Sequence, residues 1–227
     1  MRILNTIAQS VFIVCLPVLL VTASIAWAAN SLWLYKAGFE KYDVSQTTGL
    51  DESELEAAAA GLIGYFNSGE EYVSLTVIKD GRPLELFTGE EAVHFKDVKA
   101  LFRLDYWVLL GTLIYSLVYA AVCLLWQRRS HWRRLAWGTV GGSGLTLALM
   151  LALGLGTLLN FDRLFLQFHL ISFANEFWSV EGNMVLLFPR DFWYDTALLC
   201  AGITAVLAVI LGGIGGGYLL LSRRRED

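Results

Sequence analysis

Residues 167–173 read Gln-Phe-His-Leu-Ile-Ser-Phe, and they lie in a longer stretch, residues 161–195, that sets one of three histidines among large apolar side chains. Charged residues stand on both sides of this histidine, among them Arg163 and Glu176. A lipid-facing segment lacks such charges, and a water-exposed loop lacks so many apolar side chains. The mixture predicts a segment that lies at a membrane surface, or folds back into a helix bundle, with a polar group held inside it.

The composition of the whole chain is that of a membrane protein. Of the 227 residues, 56% are hydrophobic and only 17% are charged, and the mean hydropathy is +0.54. These values are typical of polytopic membrane proteins and not of soluble domains. Cys15, Cys123 and Cys200 all lie in apolar runs, which excludes a disulfide framework and a cysteine-type zinc site.

Four apolar runs are long enough to span a bilayer as helices, since about 20 helical residues cross a hydrocarbon core of about 30 Å. The predicted spans are residues 7–28, 106–126, 135–159 and 196–221. The first run has a competing interpretation as a cleaved signal peptide, because Arg2 precedes it and Ala26-Trp27-Ala28 imitates a cleavage site. We favour a retained helix, because the run is longer than the apolar core of about 7–15 residues in a signal peptide.

Arginines stand at those ends of the runs that share one side of the membrane. Four of them lie in the loop of residues 127–134, and three follow the fourth run. Together with Arg2, they predict that both termini are cytoplasmic in a multi-pass membrane protein. Residues 30–104 and 160–195 are then on the outer face.

Residues 30–104 form the one large polar region between the spans. From residue 30 to 103 there are seven basic and thirteen acidic residues, a net charge of −6. The pattern predicts a helix that starts at an Asp51 N-cap and continues to Phe66, then a hairpin over residues 73–87. A second helix is predicted from Glu90 and runs into the second span.

The predicted fold class is therefore a membrane all-α protein with four transmembrane helices. Residues 1–29 hold the first helix, and residues 30–104 form a small α+β extracytoplasmic cap. Residues 105–227 hold helices 2–4, with an interfacial helical segment at residues 160–195 between helices 3 and 4. Two glycine-rich stretches, residues 138–144 and 212–217, lack the motif context of a phosphate loop, and we interpret them as helix-packing surfaces.

Two of the three histidines, His94 and His169, are predicted at the same outer surface. Neutral imidazole can take and return a proton near pH 7, which suits it to acid–base catalysis. Asp97 follows His94 by three residues, so on a helix it shares a face with the ring and is expected to orient it. His131 lies among arginines and is interpreted as a solvated basic residue.

These histidines stand in two stretches that resemble the bacterial lipoprotein intramolecular transacylase family. The residues that carry the resemblance are His94 to Lys99 before the second span and, in the outer segment, Phe168, His169, Phe173, Asn175, Trp178, Phe188 and Pro189. The resemblance implies a four-span enzyme of the bacterial cell membrane. This enzyme moves an acyl chain from the sn-2 position of a lipoprotein's diacylglyceryl group to the α-amino group of its N-terminal cysteine. The product is a lyso-form lipoprotein, and the resemblance implies that His94 and His169 are catalytic.

Ester-to-amide transfer needs a base, an oxyanion donor and an acid, so no metal and no organic cofactor is expected. Around the histidines we expect support from Asp97 and Asn175, and charge-holding roles for Lys99 and Arg163. A substrate cleft is expected from Phe168, Phe173, Trp178, Phe188 and Pro189. The expected partners are diacylated lipoproteins and membrane lipid, with no nucleic acid, and the oligomeric state is left open.

Two other classes of function stay open at the level of the sequence. A metal-dependent membrane hydrolase would use His94, His169 and either Asp97 or Glu176 as ligands, although no H-E-x-x-H spacing supports it. A non-enzymatic sensor or assembly factor would bind a partner through the acidic cap. A chelator that abolishes activity would favour the hydrolase. Loss of phenotype on deleting the cap, with none on replacing both histidines, would favour the sensor or assembly factor.

Overall fold

The computed structural model describes residues 2–125, 129–179 and 181–223 of the chain. Most of these residues are helical. The elements are α1 (Arg2–Ala29), α2 (Leu32–Lys41), α3 (Val44–Thr48), α4 (Glu52–Phe66), β1 (Thr76–Lys79), β2 (Arg82–Glu85), α5 (Gly89–Leu125), α6 (Arg129–Ser172), a 3₁₀ turn (Phe177–Ser179), α7 (Asn183–Leu187) and α8 (Arg190–Arg223).

Four of the described helices, α1, α5, α6 and α8, are long and apolar enough to cross a membrane. This confirms the four spans that the sequence predicts. The chain divides into two compact units, and the first of them holds the chain up to Ile25, Asp105–Leu158, and the residues from Leu198 onward. The first unit therefore contains most of the apolar length of all four helices.

The helices of the first unit pack closely at glycines. A Cβ added to Gly142 would lie 2.8 Å from a methyl carbon of Leu16, and one added to Gly215 would lie 3.0 Å from the Ala136 carbonyl oxygen. Only a residue without a side chain permits such an approach, which is the usual role of glycine between membrane helices. The interpretation of the glycine-rich stretches as packing surfaces is confirmed in part, since a Cβ would meet nothing within 4 Å at Gly144, Gly213, Gly216 and Gly217.

Helices α6 and α8 begin earlier than the apolar runs predict. Helix α6 starts at Arg129 instead of residue 135, and α8 starts at Arg190 instead of residue 196. The prediction relied on apolar residues, whereas arginine is itself a good helix former and Asp191 suits the first turn of a helix. Trp126, Gln127 and Arg128, at the predicted end of the second span and in the arginine loop, and Arg224 and Arg225 lie outside the described residues.

The second unit comprises Ala26–Leu104 and Leu159–Ala197. Its core is built from α2, α3, α4, the hairpin, the first turns of α5, α7 and the start of α8. The largest contributors with almost no exposed surface are Val44, Leu62, Val77, Leu86 and Leu187. A cluster of aromatic rings, including Phe66, Phe95 and Phe188, completes this core.

The predicted hairpin forms as a two-stranded antiparallel sheet in which Val77 pairs with Leu84. The turn residues Asp80 and Gly81 have φ values of 52° and 74°, which is the left-handed conformation that two-residue hairpin turns require. Asp51 occupies the predicted N-cap position of α4, but its side chain makes no capping hydrogen bond. Together with the helices around it, this sheet gives the small α+β assembly that was predicted.

Candidate active site

His94 lies on the second turn of α5, and the start of that helix is fixed by a capping box. The Thr88 N–H donates to Glu91 Oε2 at 2.7 Å, and the Glu91 N–H donates to Thr88 Oγ1 at 3.3 Å. The reciprocal bonds set where α5 begins and hence the direction in which His94 projects. The His94 side chain is buried, with 6% of its surface exposed.

His169 lies near the end of α6, beyond a break in that helix. Asn160 has the non-helical angles φ −160° and ψ 74°, and its Oδ1 accepts a hydrogen bond from the Arg163 N–H at 3.1 Å. This is the bond of an N-cap residue, so Asn160 ends one helical segment and starts another. The second segment carries His169, which is 7% exposed, and it confirms the helical segment predicted after the third span.

The two imidazole rings face each other within the second unit. Their centroids are 6.2 Å apart and their planes are inclined by 21°. Both rings are also in contact with Phe173, at 4.8 Å from His94 and 5.4 Å from His169. The structure thus brings together two histidines that are 75 positions apart in the sequence.

The hydrogen bond of His169 defines its tautomer. His169 Nδ1 lies 2.7 Å from the Phe165 carbonyl oxygen, four residues earlier in the same helical segment. A carbonyl can only accept, so Nδ1 carries the proton, and in the neutral ring Nε2 has a free lone pair. His94 Nδ1, by contrast, is buried and has no hydrogen-bond partner among the residues that the structure describes.

Aromatic side chains surround His169. Its ring lies 4.2 Å from the ring of Phe165, 5.3 Å from Phe168 and 4.8 Å from Trp178, measured between centroids. Three members of the cleft predicted from the sequence, namely Phe168, Phe173 and Trp178, are therefore beside the histidines. Electrostatic interactions inside such an apolar shell are stronger than they are in water.

Asp97 and Asn175, the two residues expected to support the site, are hydrogen-bonded to each other. Asn175 Nδ2 donates to Asp97 Oδ2 at 2.8 Å, and Asn175 Oδ1 accepts the Phe177 N–H at 3.1 Å. The predicted contact was between Asp97 and the His94 ring, whereas the carboxylate binds the chain that follows His169. Its effect is to hold that chain, including Trp178, against α5.

Lys99 and Arg163 do not reach the two rings. Lys99 Nζ donates to Ser68 Oγ at 3.1 Å and to the Glu70 carbonyl at 2.7 Å, and it lies 3.9 Å above the Tyr65 ring. Burial raises the pKa of Tyr65, so its hydroxyl stays protonated below this cation. These contacts account for Lys99 as a structural residue, while Arg163 is exposed.

Phe188 and Pro189 also lie elsewhere than the predicted cleft. The Phe188 ring packs at 5.7 Å from Tyr35, 5.8 Å from Phe39 and 5.4 Å from Phe192, in the core of the second unit. The Pro189 carbonyl accepts the Phe192 N–H at 2.9 Å at the start of α8. The density of aromatic residues in the sequence does not reveal which rings face a site and which face a core.

Glu91, three residues before His94, was not among the site residues that the sequence predicts. Glu91 has no exposed surface, and besides its capping bond it accepts a hydrogen bond from the Met184 N–H in α7. Its signal is Thr88-Gly-Glu-Glu91, the T-x-x-E spacing of a capping box. Within residues 2–125, 129–179 and 181–223, no three His, Cys, Asp or Glu side chains come together in a way that could hold a metal ion.

Comparison with known proteins places these features in a family. A family model described as "Lipoprotein intramolecular transacylase Lit" matches residues 10–193, well over half of the chain. An uncharacterised protein of Aquifex aeolicus is 26% identical over 174 residues, which cover 74% of this chain and 75% of that protein. The resemblance drawn from the two histidine-bearing stretches is confirmed.

Solved structures share the fold. The membrane integral lipoprotein intramolecular transacylase Lit from Bacillus cereus matches with a TM-score of 0.79 and 15% identity over 100% of both chains. A variant of that protein with a single histidine replaced by arginine matches with a TM-score of 0.76 and 16% identity, over 99% of this chain and 95% of the other. The predicted fold class is confirmed.

Proposed function

This chain belongs to the family of the lipoprotein intramolecular transacylase Lit, and from that membership we propose that it is the enzyme that converts diacylated lipoproteins to their lyso-form. It moves the sn-2 acyl chain of the diacylglyceryl-cysteine to the α-amino group of the same cysteine. The observation that carries this proposal is the buried pair of His94 and His169, with ring centroids 6.2 Å apart.

The transfer is an intramolecular aminolysis of an ester. The amine nitrogen attacks the sn-2 ester carbonyl, a carbon–nitrogen bond forms, and the bond from that carbon to the glyceryl oxygen breaks. One proton leaves the nitrogen and one proton reaches the departing oxygen, so the reaction is balanced without another reactant. The protein has to move these protons and to hold the two ends of one substrate close together.

His169 is the base in this proposal. Its Nδ1–H is committed to the Phe165 carbonyl, so the lone pair of Nε2 is the free acceptor of the neutral ring. The bond to a backbone carbonyl keeps the ring in one orientation, as the partner of a catalytic histidine does in other enzymes. Nε2 takes the proton from the attacking nitrogen.

His94 is the oxyanion donor in this proposal. Its buried Nδ1 has no partner in the described part of the chain, and an unsatisfied buried nitrogen is costly unless a substrate group binds it. Its neutral ring donates a hydrogen bond to the oxyanion, while the proton that His169 Nε2 has taken from the amine is given to the departing glyceryl oxygen. With their centroids 6.2 Å apart, the two rings are close enough to act on the same reacting group.

Phe168, Phe173 and Trp178 form the substrate cleft. They present apolar surface beside the two histidines, which suits the methylene chain that is being moved. The half-exposed ring of Phe168 marks the side from which lipid enters. Asp97 and Asn175 support the cleft by holding the segment that carries Trp178.

The function is tested by mass spectrometry of lipoprotein N-terminal peptides. Cells that contain this protein should yield peptides with an N-acyl group and a monoacylglyceryl thioether, of the same total mass as the diacylglyceryl form with a free amine. Cells without it should retain the free amine. An unchanged set of peptides in the two strains would contradict the proposed activity.

The site is proposed to lie on the outer face of the cell membrane, with both termini in the cytoplasm. The motivation is the arginine asymmetry between the loops. In a variant without the native cysteines, Glu70→Cys should react with a membrane-impermeant maleimide added to intact cells, and Ser130→Cys should react only after permeabilisation. Both positions are exposed, so access to the side chain is not limiting. Labelling of Ser130→Cys in intact cells would contradict this topology.

A further inference from the structure

Glu91 is a buried carboxylate that serves two helices at once. Its Oε2 accepts the Thr88 N–H at 2.7 Å, at the start of its own helix α5. Its Oε1 accepts the Met184 N–H at 2.6 Å, in the first turn of α7. It has no exposed surface, so its two oxygens are occupied by backbone groups and not by water.

Helix α7 has no cap of its own. Its N-cap residue is Gly182, which has no side chain, and Glu91 supplies the acceptor that a serine or aspartate would otherwise provide. A Cβ at Gly182 would lie 2.3 Å from Glu91 Oε1, so a glycine is required for the carboxylate to come this close. The Glu91 carboxylate and Gly182 thus form one close contact between α5 and the chain that follows α6, and this contact is called the joint below.

The joint lies next to the proposed catalytic pair. Glu91 precedes His94 by three residues and Asp97 follows it by three, and each carboxylate binds the chain that leaves His169. Asp97 holds this chain near its beginning, at Asn175, and Glu91 holds it near its end, at Met184. No hydrogen bond joins His94 Nδ1 to His169 in the described residues, so external restraints must keep the rings 6.2 Å apart.

We propose that Glu91 is a positioning residue for the acyl transfer: it fastens the chain after His169 to the helix turn that carries His94 and so sets the distance between the two rings. This inference rests on the proposed function of the pair. Both Glu91 oxygens accept hydrogen bonds from backbone N–H groups, so this side chain donates no proton to the substrate. Without the Glu91 carboxylate the rings of His94 and His169 are held less firmly. A displacement of about 1 Å in a catalytic group can lower the rate about 100-fold.

Two variants test the role of Glu91. In Glu91→Gln, one of the two backbone N–H groups faces an amide NH₂ and loses its acceptor. Glu91→Asp keeps the carboxylate in the first turn of α5 but shortens its reach to Met184 by one methylene. Both should lower kcat by about 10- to 100-fold and leave KM within about twofold. The matched control is Glu90→Gln, an exposed neighbour on the same turn, which should behave as the native protein.

A second readout does not depend on activity. In a His131→Asn background, His94 and His169 are the remaining histidines, and ¹⁵N-labelled imidazoles report their tautomers by NMR. The native protein should show His169 as a single Nδ1–H tautomer, and Glu91→Gln and Glu91→Asp should shift or broaden the resonances of both rings. Glu90→Gln should leave them unchanged.

The two readouts separate the two proposals. If the native protein performs no transfer but its ring resonances respond to Glu91, the proposed function fails and the positioning role stands as a structural fact. If folded Glu91→Gln and Glu91→Asp proteins keep the native resonances, the positioning role is overturned whatever the activity. Shifted resonances with an unchanged kcat would also overturn it, since the reaction would then not depend on the joint.

Discussion

Replacing His169 with alanine should lower the rate of acyl transfer by about 10²–10⁴-fold, the usual contribution of general acid–base catalysis. The variant loses the Nε2 lone pair that the Phe165 bond leaves free and that accepts the amine proton in the proposed reaction. The rate is measured as the conversion of a synthetic diacylated lipopeptide by the purified, detergent-solubilised protein. His131→Ala, the third histidine of the chain, is the matched control and should transfer at the native rate.

The His94→Ala change should have a comparable effect, and the two changes should not add. When two groups act as a unit in one chemical step, removing the second costs little once the first is gone. We expect the double variant to be no more than a few-fold slower than either single one, and all three proteins to remain folded. Additive losses would show that the rings act in separate steps. A folded His169→Ala protein with native activity would remove His169 from catalysis.

The second large effect is on stability. Leu187→Ala should lower the free energy of unfolding by about 2–5 kcal/mol, because it deletes a leucine side chain that has no exposed surface and leaves a cavity. Leu187 stands on α7 in the core of the second unit, on the helix that Glu91 caps. Unfolding is followed by tryptophan fluorescence during urea titration of the protein in detergent.

The neighbouring residue gives the control for this stability effect. Leu186 is 42% exposed and is not part of the buried core, so Leu186→Ala should change the free energy of unfolding by about 0.5 kcal/mol or less. Equal losses in the two variants would show that α7 contributes through its helical structure and not through the packing of Leu187.

The sequence predicts the spans and the histidine pair for clear physical reasons. The four apolar runs are recognised by their length. His94 precedes the second span and His169 follows the third, so the alternating direction of the helices brings both histidines to the same side. The helix starts at Arg129 and Arg190 were missed because hydropathy detects lipid contact and not helical backbone. A polar helical turn carries no apolar signal.

The roles of the residues around the histidine pair were harder to predict, because the sequence does not show in which direction an aromatic ring or a charged group points. Phe168 and Phe188 look alike in the sequence, yet one lies beside His169 and the other in the core. From the sequence, Lys99 was expected to bind a charged group, whereas in the structure its ammonium group donates hydrogen bonds to Ser68 and Glu70. The role of Glu91 depends on its hydrogen bond with the Met184 N–H, 93 residues away, and no local sequence pattern predicts a contact over that separation.

The partner of His169 Nδ1 is a main-chain carbonyl, and this has a consequence for genetics. In a Ser-His-Asp triad the group that orients the histidine is a side chain, so substitution can remove it. Every amino acid at position 165 supplies the same carbonyl oxygen, and it stays in place as long as the helical turn does. A saturation mutagenesis screen is therefore expected to detect the proposed base, His169, but not the carbonyl group that orients it. Tolerance at position 165 will report only on the fit of the aromatic ring.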